Sequence, residues 1–206
     1  YSTIPTLGNA TDFGDAGVTR DKLGAGASRT RGIFVGGEGG GNVIEYVTIS
    51  STGNAVNFGD IGHGAEMRFC SAASDSTRTF FGGGYTSSTL YDTIEYITTA
   101  STGNGVDFGN MTGGKNGPAA LSSSTRGIFA GGSPAAGWGS DTNVINYITI
   151  STTGNAADFG DLSVARSRVQ GCSNSTRGLV MGGVTPSMSD VIDYITTATL
   201  GNAVDF

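Results

Sequence analysis

Histidine occurs once in the 206 residues, at His63, and tryptophan once, at Trp138. Cysteine occurs twice, at Cys70 and Cys172. No two of these residues stand at the short spacings that metal sites use, so no metal and no cofactor are expected. A Ser/His/Asp triad around the lone His63 is not expected either. The two cysteines fall in different columns of the repeat described below, and they read as free, buried thiols rather than a disulfide.

Charge is also scarce. Asp, Glu, Lys and Arg make up 14% of the chain, with a net charge of −6. A phosphate-backbone binder would carry a basic stripe, so no nucleic-acid partner is expected. No apolar run approaches the ~18 residues of a membrane span, and no membrane insertion is expected. No window holds apolar residues at i, i+3, i+4 and i+7 for long enough to make a helix.

What is abundant is glycine and repetition. Glycine accounts for 36 of 206 residues, well above the usual ~7%. The phrase "STGNAVNFGD" at 51–60 recurs as "TLGNATDFGD" at 6–15, "STGNGVDFGN" at 101–110, "TTGNAADFGD" at 152–161 and "TLGNAVDF" at 199–206. A phrase repeated every 45–51 residues marks a solenoid, a propeller or an array, not a catalytic motif. Tyrosine precedes phenylalanine by 12 residues in every copy: Tyr1 and Phe13, Tyr46 and Phe58, Tyr96 and Phe108, Tyr147 and Phe159, Tyr194 and Phe206. Arginine precedes a glycine pair by 5, at Arg31, Arg78, Arg126 and Arg177. The length changes fall mainly between the glycine pair and the next tyrosine.

Each unit reads as four short strands. In the second unit they are the segment before "STRT", then "TFFG" at 79–82, "TIEYITT" at 93–99 and "GVDF" at 105–108. "STGNA" joins strands three and four, where glycine and asparagine suit the positive φ of a tight hairpin. The phenylalanine that follows is expected to anchor the core. The fold class is therefore all-β, a propeller of four-stranded antiparallel blades: a partial blade at 1–15 and full blades at 16–60, 61–110, 111–161 and 162–206 of one domain. The chain starts inside a repeat. It reads as a fragment of a larger propeller, or else residues 1–15 close the ring across its seam.

With the pairs Gly36-Gly37, Gly83-Gly84, Gly131-Gly132 and Gly182-Gly183 and the tyrosines at 46, 96, 147 and 194, the chain resembles the kelch-type β-propellers. It differs in placing phenylalanine twelve residues after the tyrosine, where kelch repeats usually place tryptophan at about seven. Phrases such as "STRGIFAGG", "VINYITISTTGNAADFGDLSVAR" and "VIDYITT" are similar to kelch-like repeat proteins of marine bacteriophages. That resemblance implies a virion location, tail-associated or on the particle surface. It implies a structural or host-attachment role, with other virion proteins, further copies of the chain, or a host-surface glycan or protein as partners.

The variable connections lie at 38–42, 85–92, 133–143 and 184–190, and binding is expected there because loops vary while the scaffold stays constant. Tyr85, Tyr91 and Trp138 are the candidate anchors, with Glu38, Pro186 and Met188 beside them. Trp138 could equally pack against a neighbouring blade. The four arginines suggest a ligand ring. A fixed arginine in every turn fits better with hydrogen bonds to carbonyls, or with pairing to the Asp of a neighbouring phrase. The Asp12, Asp107, Asp158 and Asp205 column, with Asn57 as its exception, suggests local capping. "DFG" lacks the other parts of a kinase. Glu38, Glu66, Asp75 and Asp92 form no recognisable catalytic pair, so no enzymatic activity is expected. The alternatives are a bacterial extracellular propeller that binds protein or glycan and, less favoured, a glycan-active enzyme.

Overall fold

The computed structural model describes residues 1, 8–136 and 140–206. Blade 1 comprises β1 (Gly24–Ala27), β2 (Arg31–Val35), β3 (Val43–Thr48) and β4 (Val56–Asp60). Blade 2 comprises β5 (Ser71–Ser74), β6 (Arg78–Gly82), β7 (Thr93–Thr98) and β8 (Val106–Asn110). Blade 3 comprises β9 (Ala119–Ser122), β10 (Arg126–Ala130), β11 (Val144–Thr149) and β12 (Ala157–Asp161). Blade 4 comprises β13 (Gln170–Ser173), β14 (Arg177–Met181), β17 (Ile192–Thr196) and β18 (Val204–Asp205), with a small hairpin of β15 (Val184–Thr185) and β16 (Ser187–Met188). In every blade the strands lie antiparallel in chain order. The four sheets form a β-propeller.

The first strands line the axis. Apart from Leu121 and Gln170 they are made of small residues, GAGA, SAAS, AALS and QGCS, because neighbouring backbones converge there. A Cβ on Gly24 would lie 3.1 Å from the Ala72 amide nitrogen of the next blade. The first strands pack in the order β1, β5, β9, β13, and all four line one channel of about 160 Å³.

The fourth strands of blades 1, 2 and 3 carry a bulge at the phenylalanine. Gly59 pairs with Ile44 and Asn57 with Glu45, so Phe58 is the extra residue; Phe108 and Phe159 repeat this. The bulge turns the ring into the layer between blades. Three apolar clusters fill these layers. Ile33, Val35 and Ile44 of blade 1 meet Phe81 and Ile97 of blade 2. Phe80, Ile94 and Phe108 meet Phe129 and Ile148. Ile128, Ile145 and Phe159 meet Val180 and Ile195. The core is thus a stack of blade interfaces. Phe206 departs from the expected anchoring role: it is 73% exposed, because no blade follows blade 4 in the structure.

The recurring phrase joins strands three and four as expected, and its glycines at 53, 103, 154 and 201 have positive φ, although among the described residues its asparagines do not. The phrase also builds a staple between blades, its "FGD" end bonding the Gly-Asn end of the next copy. Phe58 O accepts from Gly103 N at 2.8 Å, Asp60 N donates to Asn104 Oδ1 at 3.0 Å, and Asp60 O accepts from Gly105 N at 2.8 Å. The same three bonds join Phe13 and Asp15 to 53–55, Phe108 and Asn110 to 154–156, and Phe159 and Asp161 to 201–203. The glycine of "FGD" is required by this close approach. A Cβ on Gly59 would sit 2.3 Å from Gly103 O.

The channel mouth as candidate binding site

The linker entering each blade contributes one residue to the mouth of the channel. These are Lys22, Phe69, Gly117 and Arg168, each nine positions before the repeat arginine. All four have left-handed backbone, with φ of 55°, 55°, 64° and 54°. Lys22, Phe69 and Arg168 are the only non-glycine residues with positive φ among those described. For a bulky side chain that conformation costs about 1–2 kcal/mol, so the surrounding structure must impose it. A relay of backbone bonds does so. Phe69 N donates to Lys22 O, Gly117 N to Phe69 O, and Arg168 N to Gly117 O, at 2.7–3.0 Å.

The result is an aromatic and charged cluster on the variable face. The Tyr85 ring stacks on Phe69, 6.2 Å between centroids and 9° between planes. Lys22 Nζ lies 5.4 Å and the Arg168 guanidinium 4.8 Å from the Phe69 centroid. Glu38 pairs with both Lys22 and Arg68, and Arg68 also reaches Glu66. The hydrogen bond from Lys22 holds the Glu38 carboxyl below the ordinary carboxylate range, and the Lys22 ammonium is raised in return. An isolated β-bridge from each linker sets the first loop residue beside this mouth: Asp21 to Glu38, Arg68 to Tyr85, Asn116 to Ser133, Ser167 to Val184.

Of the loop residues singled out in the sequence, Glu38 and Tyr85 are brought together here. Tyr91 is not. It is half-buried against the core of blades 1 and 2, with the His63 ring 4.7 Å away. Pro186 and Met188 stand on the β15–β16 hairpin, where Met188 is 94% exposed. Trp138 lies outside the described residues. Lys22, Phe69 and Arg168 escaped sequence reasoning. The glycine at 117 in the same column was the available signal, since it marks a backbone position with φ above zero.

The arginine column is structural. Arg31 Nη1 donates to Thr99 O, Arg78 to Ile150 O and Arg126 to Thr197 O, at 2.8–2.9 Å, each reaching into the next blade. Each guanidinium also covers the tyrosine of its own blade, 4.4–4.9 Å from the centroid, and that tyrosine meets its phenylalanine edge-on. The Asp column caps locally: Asp12 and Asp107 accept from the amides of Gly14 and Gly109.

A second buried column went unnoticed in the sequence, the residue before each tyrosine. Glu45 meets Arg20, Asp193 meets Arg166 and Ser163, and Glu95 meets His63 and the amides of Gly62 and His63. In blade 3 the position is Asn146, which accepts from Thr112, and the cation Lys115 bonds Val144 O instead. Burial pulls Lys115 down to about 8. Each of the three buried carboxylates is therefore held by a linker of its own blade. Among the described residues no group of three or more His, Cys, Asp and Glu is placed to hold a metal. Both cysteines are free. Cys70 is buried, which pushes its thiol up to about 11, whereas Cys172 is exposed on the open side of blade 4, contrary to the buried reading.

In comparisons with known proteins, no family model matches the chain and no curated protein matches it.

Proposed function

We propose that this propeller is a non-catalytic attachment module of a phage particle that meets its target through the variable face. The observation that carries the binding part is the cluster at the channel mouth. Three side chains, Lys22, Phe69 and Arg168, are held in left-handed backbone at one place, and Tyr85 is stacked among them. Strained backbone of this kind persists where the fold enforces it and gathers at functional sites. The particle part is supported by the likeness of the repeat phrases to kelch-like phage repeats. The net charge of −6 favours a protein or glycan target over a nucleic acid.

The rival reading is a glycan-active enzyme. The arrangement of the acids favours binding. Glu45, Glu95 and Asp193 are buried and held by cations or amides, and Glu38 is shared between Lys22 and Arg68. A bacterial extracellular binding propeller would use the same face.

The test pairs two measurements. Mass spectrometry of purified particles should find the chain, and the labelled chain should adsorb to host cells in a manner that Tyr85→Ala and Phe69→Gly abolish. Absence from particles together with adsorption unaffected by both substitutions would overturn the proposal. Release of sugar from host polysaccharide would replace it with the enzyme reading.

A further inference from the structure

One buried position of the repeat carries an anion in three blades and a neutral amide in the fourth. The residue before the tyrosine is Glu45 in blade 1, Glu95 in blade 2 and Asp193 in blade 4, but Asn146 in blade 3. The groups around it are donors. In blade 4 the amide and hydroxyl of Ser163 and the Arg166 guanidinium all donate to Asp193. In blade 2 the amides of Gly62 and His63 donate to Glu95, and the His63 ring meets it too. In blade 1 Arg20 Nη2 donates to Glu45.

Blade 3 keeps donors of this kind and changes the acceptor. Thr112, in the column of Gly62 and Ser163, gives its amide and its hydroxyl to Asn146 Oδ1, at 3.3 and 3.0 Å. A backbone amide only donates, so this contact fixes which end of the Asn146 side chain is oxygen. The other end, Nδ2, is buried without a hydrogen-bond partner. It stands in place of a carboxylate oxygen. Lys115 adds a second donor to the same column. Its Nζ donates to Val144 O at 2.7 Å, the bond that Arg20 Nη1 makes to Val43 O and Arg166 Nη1 makes to Val191 O. Lysine thus matches Nη1 and has no counterpart of Nη2, the atom that meets the carboxylate in blades 1 and 4. Lys115 is buried, and that carbonyl is its one side-chain acceptor among the described residues. Asp158 and Asp161 act on it through space without a bond. Blade 1 carries Asp60 in the place of Asp161 and still has Glu45, so the strand-four acid does not take over from the buried carboxylate.

We propose that blade 3 binds a small monovalent anion of the chloride class, held by Asn146 Nδ2 and the Lys115 ammonium. The anion is an exchangeable substitute for the carboxylate that the other three blades carry covalently. Buried donors and a buried charge are costly until they are paired, and one spherical acceptor serves both groups at once. Its charge offsets that of Lys115. The exposed Thr112 and Gly113, directly over the amide, give it a way in from solvent. The site is separate from the channel mouth and does not depend on what that mouth binds.

The test compares thermal melts of the whole chain at pH 7 in sodium chloride and in sodium gluconate of equal ionic strength, since gluconate is too bulky to bury. Chloride should raise the melting temperature in a saturable manner, and bromide should do the same. Crystals soaked in bromide should show an anomalous peak within hydrogen-bond reach of Asn146 Nδ2. Asn146→Asp should abolish the difference between the salts, because its own carboxylate supplies the charge. Lys115→Met, which copies Met67 of blade 2, should abolish it as well. Should either variant fail to fold, the bromide peak in the unsubstituted chain decides alone. Equal melting in the two salts overturns the proposal. So does a water in place of bromide beside Nδ2. A chloride effect that survives Asn146→Asp also overturns it, because the anion would then act on another surface.

Discussion

The amide of Asp60 donates to the side-chain oxygen of Asn104 at 3.0 Å, across the boundary between blades 1 and 2. The two residues occupy different positions of the same recurring phrase, 44 residues apart. One sequence motif thus presents two carbonyls and an amide to the next blade, and two amides and an asparagine oxygen to the previous one. That dual use accounts for its near-invariance along the chain.

Removing the acceptor should be felt in proportion. Asn104→Ala should cost about 1 kcal/mol of unfolding free energy. Gly59→Ala should cost more, roughly 2–4 kcal/mol, because its Cβ would meet Gly103 O at 2.3 Å on a strained backbone. Urea unfolding of both variants checks the order. Equal effects would mean that the close approach relaxes freely.

Blade 3 has a cation without its carboxylate. Lys115 occupies the column of Arg20 and Arg166 and bonds Val144 O, while Asn146 stands in the carboxylate column with its Nδ2 buried without a partner. With the folded ammonium near 8 and its ordinary value at 10.5, the unfolded chain holds one more proton between those pH values. Stability should therefore rise with pH across that window, by at most about 1.4 kcal/mol per unit. Asn146→Asp should restore the ion pair, raise stability at pH 7 and flatten the rise. Lys115→Met, the residue that blade 2 carries as Met67, should also flatten it. Denaturant midpoints at pH 7 and at pH 10 separate these outcomes.

Glu95 behaves in the opposite sense. Burial alone would raise its carboxyl, but the His63 ring and the amides of Gly62 and His63 outweigh burial and hold it below 4.5. Its stabilisation is present above the unfolded carboxylate value and is lost as pH falls through the lower folded one. Glu95→Gln should cost about 1–3 kcal/mol at pH 7. The gap from the unsubstituted chain should close as the medium is acidified below 4.5. A gap that persists at acid pH would assign the loss to geometry instead of charge.

Phe69 separates folding from binding. With φ of 55°, Phe69→Gly relieves about 1 kcal/mol of left-handed strain and gives up a stacked ring. Blade 3 already carries Gly117 in that column. The melting temperature should move little while adsorption to host cells is lost. A large drop in melting temperature would make Phe69 a structural residue.

The architecture was legible because each blade repeats its signals: a strand of β-branched and aromatic residues, a glycine pair, a tyrosine and a phenylalanine. Repetition also exposed which columns are constant, and Arg31 and its equivalents belong to the scaffold. The loop anchors were harder to read. Tyr85 and Tyr91 look alike in sequence, six residues apart in one variable loop, yet Tyr85 stacks at the mouth while Tyr91 packs inward beside His63. Nothing local distinguishes them, because the difference lies in what the neighbouring linker presents.

The sequence by itself determined the repeating unit, the strand order within it and where its turns fall. Short-range periodicity and turn chemistry act within one unit of about 50 residues, and both are written in every copy. The tertiary structure alone decided how the units meet. The pairing of Asp60 with Asn104, the left-handed ring of Lys22, Phe69, Gly117 and Arg168, and the exposure of Phe206 all depend on which blade stands next to which. Identical phrases cannot encode their own position in the array. Phe159 and Phe206 share a motif, and only the presence of a following blade buries one and leaves the other open.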